Sequence, residues 1–340
     1  MKSGMESQLS GHGALIGRAI QALSEHYAGA PVRLDEVVSV RENSEVFRAV
    51  VETETPFAVA IKHCFRPRTK IPDESAAREQ YAALDKVDCA LKKGASRYRV
   101  PTPLLLIPEL ATIVMPWLDG ESLTQKMRRP AIFTKGPEWF EAVGAWIGNF
   151  HKLGPARHRQ VDLDERIEIL KALENSPLPE QSFSKAIGIL RNYAPGLEQL
   201  AVETSWLHGD CKTDNFFLSG VDVFGIDISL CYENAVEYDI AQFFNNLDLM
   251  LSSPQTVYLG VMQSRLEKAF WRGYRVTGPS VSLPYLNWLR LSFALSFWHS
   301  MLNGRETSIR NRVLNRMFAK LIVRLSRIVD SSHRVGSFAG

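Results

Sequence analysis

The sequence is short of cysteine. Cys64, Cys89, Cys211 and Cys231 are spread over 340 residues, with no CxxC pair and no histidine at zinc-ligand spacing. That argues against a disulfide framework or structural zinc, and a reducing cytoplasm is the simplest setting. No run of about 18 apolar residues occurs, so a transmembrane span is not expected. The first 27 residues interleave Lys2, Glu6, His12, Arg18, Glu25 and His26 with apolar residues, unlike the unbroken core of a signal peptide. One-signed charge is scarce too. A formal net charge of +3 does not call for a nucleic-acid partner. Internal repeats and low-complexity linkers are missing. What remains is an ordinary soluble composition, 45% apolar and 23% charged, long enough for two domains or one large bilobal one.

Residues 13–28 read as a helix, with Leu15, Ile16, Ala19, Ile20 and Leu23 on one face. Strand-like runs follow at 37–40, 46–52 and 57–63, then an amphipathic helix at 73–87 and two further strands at 103–107 and 111–117. After Gly120 the pattern turns helical at 138–153, 164–175 and 184–200. A strand–loop–strand segment covers 206–228, and helical patterns dominate from residue 235. The expected division is a small strand-rich unit, 1–119, and a larger mainly helical one, 120–340.

The most informative segment is His208-Gly209-Asp210-Cys211-Lys212-Thr213-Asp214-Asn215, an HxDxxxxN pattern, followed by a turn and Ile226-Asp227-Ile228. Phosphoryl transfer needs an acid to orient the nucleophile, oxygen ligands for a divalent cation and a cation on the phosphates. Asp210 suits the first role. Asn215 and Asp227 suit the second; alternatively, Asp210 and Asn215 are turn or cap residues. Asp227 sits in an apolar run, where a carboxylate needs a partner or a metal. Ala58-Val59-Ala60-Ile61-Lys62 ends a strand on a lysine, matching the kinase strand whose lysine meets the α- and β-phosphates. Glu79 on the following helix is its expected ion-pair partner, with Glu74 competing. In Met115-Pro116-Trp117-Leu118, Pro116 has a free C=O and Leu118 an N–H two residues on, the pair that reads an adenine edge at a kinase hinge.

With these segments in that order, and with Tyr238-Asp239-Ile240-Ala241, residues 144–151 (GAWIGNFH) and residues 270–274 (FWRGY) beside them, the chain resembles the aminoglycoside phosphotransferase / choline kinase family over roughly residues 35–275. The resemblance implies an α+β, bilobal protein-kinase-like fold, with a small antiparallel-sheet N-lobe and a larger helical C-lobe. It implies ATP or GTP with Mg2+, Asp210 as catalytic base, Asn215 and Asp227 as metal ligands, Lys62 and Glu79 on the nucleotide phosphates, and His208 and Asp239 as braces. Gly209, where protein kinases usually carry arginine, implies a small-molecule alcohol acceptor. One departure stands out. The phosphate-covering loop falls at residues 41–45 and has no glycine, leaving Ser44 and Asn43 to donate to phosphate. That loop is the one feature favouring the alternative, a weak or inactive kinase-like binding protein.

The acceptor region of such a chain lies towards its C-terminus. Residues 281–340 carry nine Arg and Lys against Glu306 and Asp330, a poor lining for a polycationic aminoglycoside. A neutral or anionic sugar-like alcohol fits better, with Trp288, Trp298 and His299 as candidates for stacking or for plain packing. The basic amphipathic helix at 309–329 reads either as a core-packing helix or as a peripheral contact with anionic lipid.

Overall fold

The computed structural model describes residues 3–92, 97–174, 181–228, 232–252, 256–303 and 309–336. In chain order its elements are α1 (Ser3–His26), β1 (Val32–Val40), β2 (Ser44–Val51), β3 (Phe57–Cys64), α2 (Glu74–Lys92), β4 (Tyr98–Arg99), β5 (Leu105–Ile107), β6 (Thr112–Pro116), β7 (Glu121–Ser122), α3 (Leu123–Met127) and α4 (Ile132–Leu153). Then come β8 (Arg157–Gln160), α5 (Asp164–Glu174), α6 (Gln181–Leu197), β9 (Ala201–Trp206), β10 (Phe216–Ser219), β11 (Asp222–Gly225), β12 (Glu233–Ala235), α7 (Glu237–Ser252), α8 (Gln263–Thr277), α9 (Leu283–Asn303) and α10 (Ile309–Gly336). Two compact units result, 1–120 with 219–230, and 121–218 with 231–340.

The first unit is built on a five-stranded antiparallel sheet in the order β1-β2-β3-β6-β5. Alternate side chains of a strand face opposite sides. Val59 and Ile61 of β3 therefore join Phe47, Ala49 and Val51 of β2 in a core closed by Ile16, Ala19 and Leu23 of α1. Cys64, out of step with Val59 and Ile61, packs instead with Ile113 of β6 and Ala77 of α2. Lys62 shares the phase of Cys64, so the same alternation that buries Ile61 keeps the lysine off the α1 core. Residues 219–230 belong to this unit although the sequence boundary near Gly120 assigns them to the other. The cause is a long-range parallel pairing of β11 on β4, Val223 with Tyr98 and Phe224 with Arg99.

The second unit is mainly helical. α4 and α8 approach backbone to backbone at Gly144 and Gly273. A Cβ on Gly144 would strike the Phe270 carbonyl, and one on Gly273 the Glu141 carbonyl. α10 turns Met317, Phe318, Leu321, Ile322, Leu325 and Val329 inward and leaves Arg312, Arg316, Lys320 and Arg327 exposed. Its Arg324, with Arg290 of α9, pairs with the buried Asp248 of α7. This is the core-packing reading of the basic helix. Its apolar stripe is consumed by the unit and is not free to enter a lipid surface. Among the described residues no helix is long and apolar enough to cross a membrane. Trp288 and Trp298 are likewise buried, donating from Nε1 to the Leu190 carbonyl and to Asn315. Arg305, Glu306 and Cys231 lie outside the described residues.

At the start of α7, Glu237 is fully buried. Its Oε1 accepts from the Ser282 N–H at 2.7 Å, while Oε2 meets no hydrogen-bond partner among the described residues. Burial pushes this carboxyl up from 4.5 to about 7. The folded state therefore holds a proton that the unfolded chain releases above pH 4.5, and stability falls as pH rises from 4.5 through 7. The loss at pH 8 is of the order of 3 kcal/mol. In Glu237→Gln, urea unfolding at pH 5 and pH 8 is expected to show that pH dependence flattened. An unchanged slope would show that Glu237 does not titrate there.

Candidate active site

In the first unit the residues that carry charge meet at Asp227. Its Oδ1 lies 2.6 Å from the Nζ of Lys62, itself buried at the end of β3, and its Oδ2 lies 3.7 Å from the Nη1 of Arg41. Asp227 has φ +58°, a left-handed conformation that aspartate tolerates better than most residues. Backbone of this kind concentrates at sites where a side chain must be aimed. The glycine-free loop at 41–43 closes through the Arg41 N–H donating to the Ser44 carbonyl at 2.8 Å. Lys70 donates to the Arg41 carbonyl at 2.6 Å and pairs with Glu45 at 3.1 Å. This loop thus brings a guanidinium to the carboxylate where a glycine-rich loop offers only N–H groups. Arg41 was not among the residues expected from the sequence. An arginine flanking a predicted turn is ordinarily a solvated residue, and no local spacing marks it.

Ser44 is buried as the first residue of β2, opposite Cys64. Glu79 does not pair with Lys62 in this structure. It is exposed on α2 and accepts from the Ser75 hydroxyl at 2.9 Å, one helical turn away. Glu74 pairs with Arg78 along the same solvated face. The lysine has instead taken the carboxylate that the distant Asp227 supplies. At the end of β6 the Trp117 N–H donates to the Ala58 carbonyl at 3.0 Å. The alternation of an antiparallel pair then turns the Pro116 C=O and the Leu118 N–H away from β3. Both residues also line a cavity of about 650 Å3 walled by Leu91, Tyr98 and Phe224, to which Lys62 and Asp227 do not contribute.

In the second unit the loop from His208 to Asn215 is held from three sides. The buried Asp239 carboxylate accepts from the His208 N–H at 2.6 Å and the Gly209 N–H at 3.0 Å. It also accepts from Nε2 of His151 at 3.1 Å, which leaves Nδ1 of that ring to accept from the Tyr274 hydroxyl at 3.0 Å. Burial drives the Asp239 carboxyl up, but the bond from His151 and the neighbouring His208 outweigh it and hold the group below its ordinary value. The His208 ring lies among Trp146, Phe150 and Phe216. From α7, Gln242 accepts from the Cys211 N–H at 3.1 Å and Asn246 from the Thr213 N–H at 3.0 Å. Gly209, with φ +80°, makes the turn these restraints require.

That bracing leaves Asp210 half exposed. Its Oδ2 is engaged by Lys212 and by the Nδ2 of Asn215 at 3.0 Å. Asn215 also donates to the Asp210 carbonyl at 2.8 Å, so its side chain is fixed, yet its buried Oδ1 meets no partner among the described residues. Asp210 therefore has one carboxylate oxygen committed and one open, and Asn215 presents a bare carbonyl oxygen. Such an oxygen, like the Asp227 carboxylate, is the ligand type a hard divalent cation takes. No three His, Cys, Asp or Glu converge as an all-protein metal site among the described residues. Cys211, fully buried, has its thiol pushed well up by burial and is no nucleophile. Lys212 is a further residue of the site that the motif does not mark. Its signal is a lysine two residues after the aspartate in a segment too short to be a helix.

The fold has counterparts of known structure. A choline/ethanolamine kinase family protein from Mesorhizobium loti aligns with a TM-score of 0.61 at 13% identity, over 93% of this chain and 99% of that one. Choline kinase LicA from Streptococcus pneumoniae aligns at 0.57 and 12% identity, over 93% and 100%. An amicoumacin kinase in complex with AMP-PNP, Ca2+ and Ami aligns at 0.57 and 15%, over 95% and 96%. At such identities the likeness establishes the protein-kinase-like α+β fold. No curated protein matches the sequence. The sequence itself matches the phosphotransferase enzyme family over residues 36–272, most of its length, and the chain belongs to that family.

Proposed function

We propose that the protein is a small-molecule kinase that transfers the γ-phosphate of ATP or GTP to a hydroxyl of a sugar-like or amino-alcohol acceptor with Mg2+. The observation that carries this reading is the state of Asp210, with Oδ2 tied to Lys212 and Asn215 and Oδ1 open. A carboxylate so held can take the proton of an incoming hydroxyl without turning away from it. Lys212, beside it, is a cation suited to the charge on the transferring phosphoryl group. Lys62 and Arg41 would hold the nucleotide phosphates, releasing Asp227 as a metal ligand with Asn215. Bound Mg2+ supplies neutralisation of phosphate charge. Pro116 and Leu118 would meet the purine edge. The complex of a related fold, an amicoumacin kinase, with AMP-PNP and Ca2+ supports nucleotide and divalent-cation use.

The test is a thermal-unfolding screen of the full chain with ATP and GTP, with and without MgCl2, followed by an acceptor screen. Nucleotide at a hundredfold excess over Kd should stabilise the fold by about 2.7 kcal/mol. Lys62→Met should remove most of that stabilisation. Loss of the shift in wild type would sink the reading, and nucleotide binding without transfer to any acceptor would favour the binding-only alternative.

A further inference from the structure

We infer that the acceptor of this kinase carries an anionic group, and that a cavity in the second unit selects it. The inference rests on the kinase reading above. The cavity holds about 270 Å3, the scale of a monosaccharide rather than of a multi-ring antibiotic. One wall is a single face of α9, with Phe293, Ser296, Phe297 and Ser300 at the i, i+3, i+4, i+7 spacing. Arg166 of α5 and Gln242 of α7 complete it. Gln242 is the residue that accepts from the Cys211 N–H, next to Asp210, so the cavity wall is bonded directly to the catalytic loop.

Arg166 is the charged group of this lining, and no Asp or Glu lines it among the described residues. Its guanidinium lies 4.5 Å over the Phe293 ring and 5.6 Å over the Tyr238 ring. It makes no ion pair among the described residues, and its buried Nε meets no hydrogen-bond partner there. An arginine positioned by rings and given no carboxylate is suited to bidentate recognition of an oxyanion. The same charge repels a polycation or a quaternary amine. Ser296 and Ser300 donate to the carbonyls one turn back, both at 3.0 Å, so their oxygens remain as acceptors for substrate hydroxyls. Phe297, 62% exposed, offers an apolar face to a sugar ring. Trp288 and Trp298 are packed in the interior, and the aromatic residues of this lining are Phe293 and Phe297. The substrate class is a polyhydroxylated acceptor of monosaccharide size bearing a carboxylate or phosphate.

The test uses the full chain with Mg-ATP and four probes: D-glucuronate and D-glucose 6-phosphate, against D-glucose and D-glucosamine. At least one anionic probe should exceed glucose in kcat/KM by about tenfold, and glucosamine by more. Arg166→Gln should lower the anionic-to-neutral ratio about tenfold, through KM, and Arg166→Lys should restore part of it. Equal or better use of glucosamine, or a ratio unmoved in Arg166→Gln, overturns the inference while leaving the kinase reading intact. Calorimetric binding of the two anionic probes without nucleotide separates the other failure. Binding that Arg166→Gln weakens about tenfold, with no transfer, upholds the subsite, and the kinase reading is then decided by the nucleotide shift and the wider acceptor screen. Neither transfer to nor binding of either anionic probe overturns the subsite.

Discussion

Asp210→Asn is expected to lower kcat by about two to four orders of magnitude while the protein stays folded and still binds nucleotide. The substitution keeps the shape of the side chain and removes both its charge and its capacity to accept a proton. Lys212 and Asn215 both donate to Oδ2 of the present carboxylate. An amide can satisfy only one orientation of that arrangement. Turned one way, its oxygen serves the two donors and its NH2 faces the acceptor hydroxyl, where a base is needed. Turned the other way, the NH2 confronts Lys212. Either orientation abolishes general-base action, and neither disturbs Asp239, which holds the loop backbone. Steady-state kinetics with a responsive acceptor, beside a nucleotide thermal shift, distinguish this outcome from misfolding. A kcat within threefold of wild type, with binding intact, would remove Asp210 from the chemistry.

What the sequence discloses and what it conceals divide along physical lines. β3 is legible because its apolar run, Ala58 to Ile61, buries Val59 and Ile61 and breaks at a lysine. The loop from His208 to Asn215 is legible because a fixed spacing carries it. β1 is only half legible. It is an edge strand, almost wholly exposed, and Arg33, Asp35 and Glu36 erase the alternation that marks a half-buried strand. β8, with the sequence RHRQ, is exposed at every position and carries no hydrophobic signal at all. α4 starts earlier than its apolar period suggests because Pro137 falls within its second turn, where a sequence reading expects a boundary. The charge pairs follow the same logic. Arg78 with Glu74 is an i,i+4 pair that spacing reveals, whereas Lys62 and Asp227 are 165 residues apart. Local spacing favours Glu79 as the lysine's partner, yet Glu79 accepts from Ser75 and the lysine pairs with the distant Asp227. The placement of 219–230 on β4 is of the same kind, a pairing that no window of the sequence contains.

Asp239→Ala should lose both stability and turnover, and the two losses have one origin. The carboxylate is fully buried and accepts from two loop N–H groups and from His151. Alanine leaves all three donors without their acceptor in a dry interior. Removing one partner of a buried charge-assisted network costs about 3–5 kcal/mol, more than most single substitutions. Chemical denaturation at neutral pH should show it as a lowered midpoint. The pH dependence identifies the carboxylate as the cause. Its folded value is held below the ordinary 3.8, so its stabilisation is present above that pH and fades only as pH falls through the lower folded value. The gap between wild type and Asp239→Ala should therefore persist from neutral pH down to about 4 and narrow below it. Turnover should fall by at least tenfold under conditions where the variant is still folded, because the freed His208 and Gly209 backbone no longer fixes the direction of Asp210, and small misplacements of a catalytic group are costly. Asp239→Asn, which keeps one acceptor, should lie between the two. A variant that unfolds at the wild-type midpoint and turns over normally would show that the loop holds its shape without this carboxylate, through Gln242, Asn246 and the aromatic packing around His208 alone.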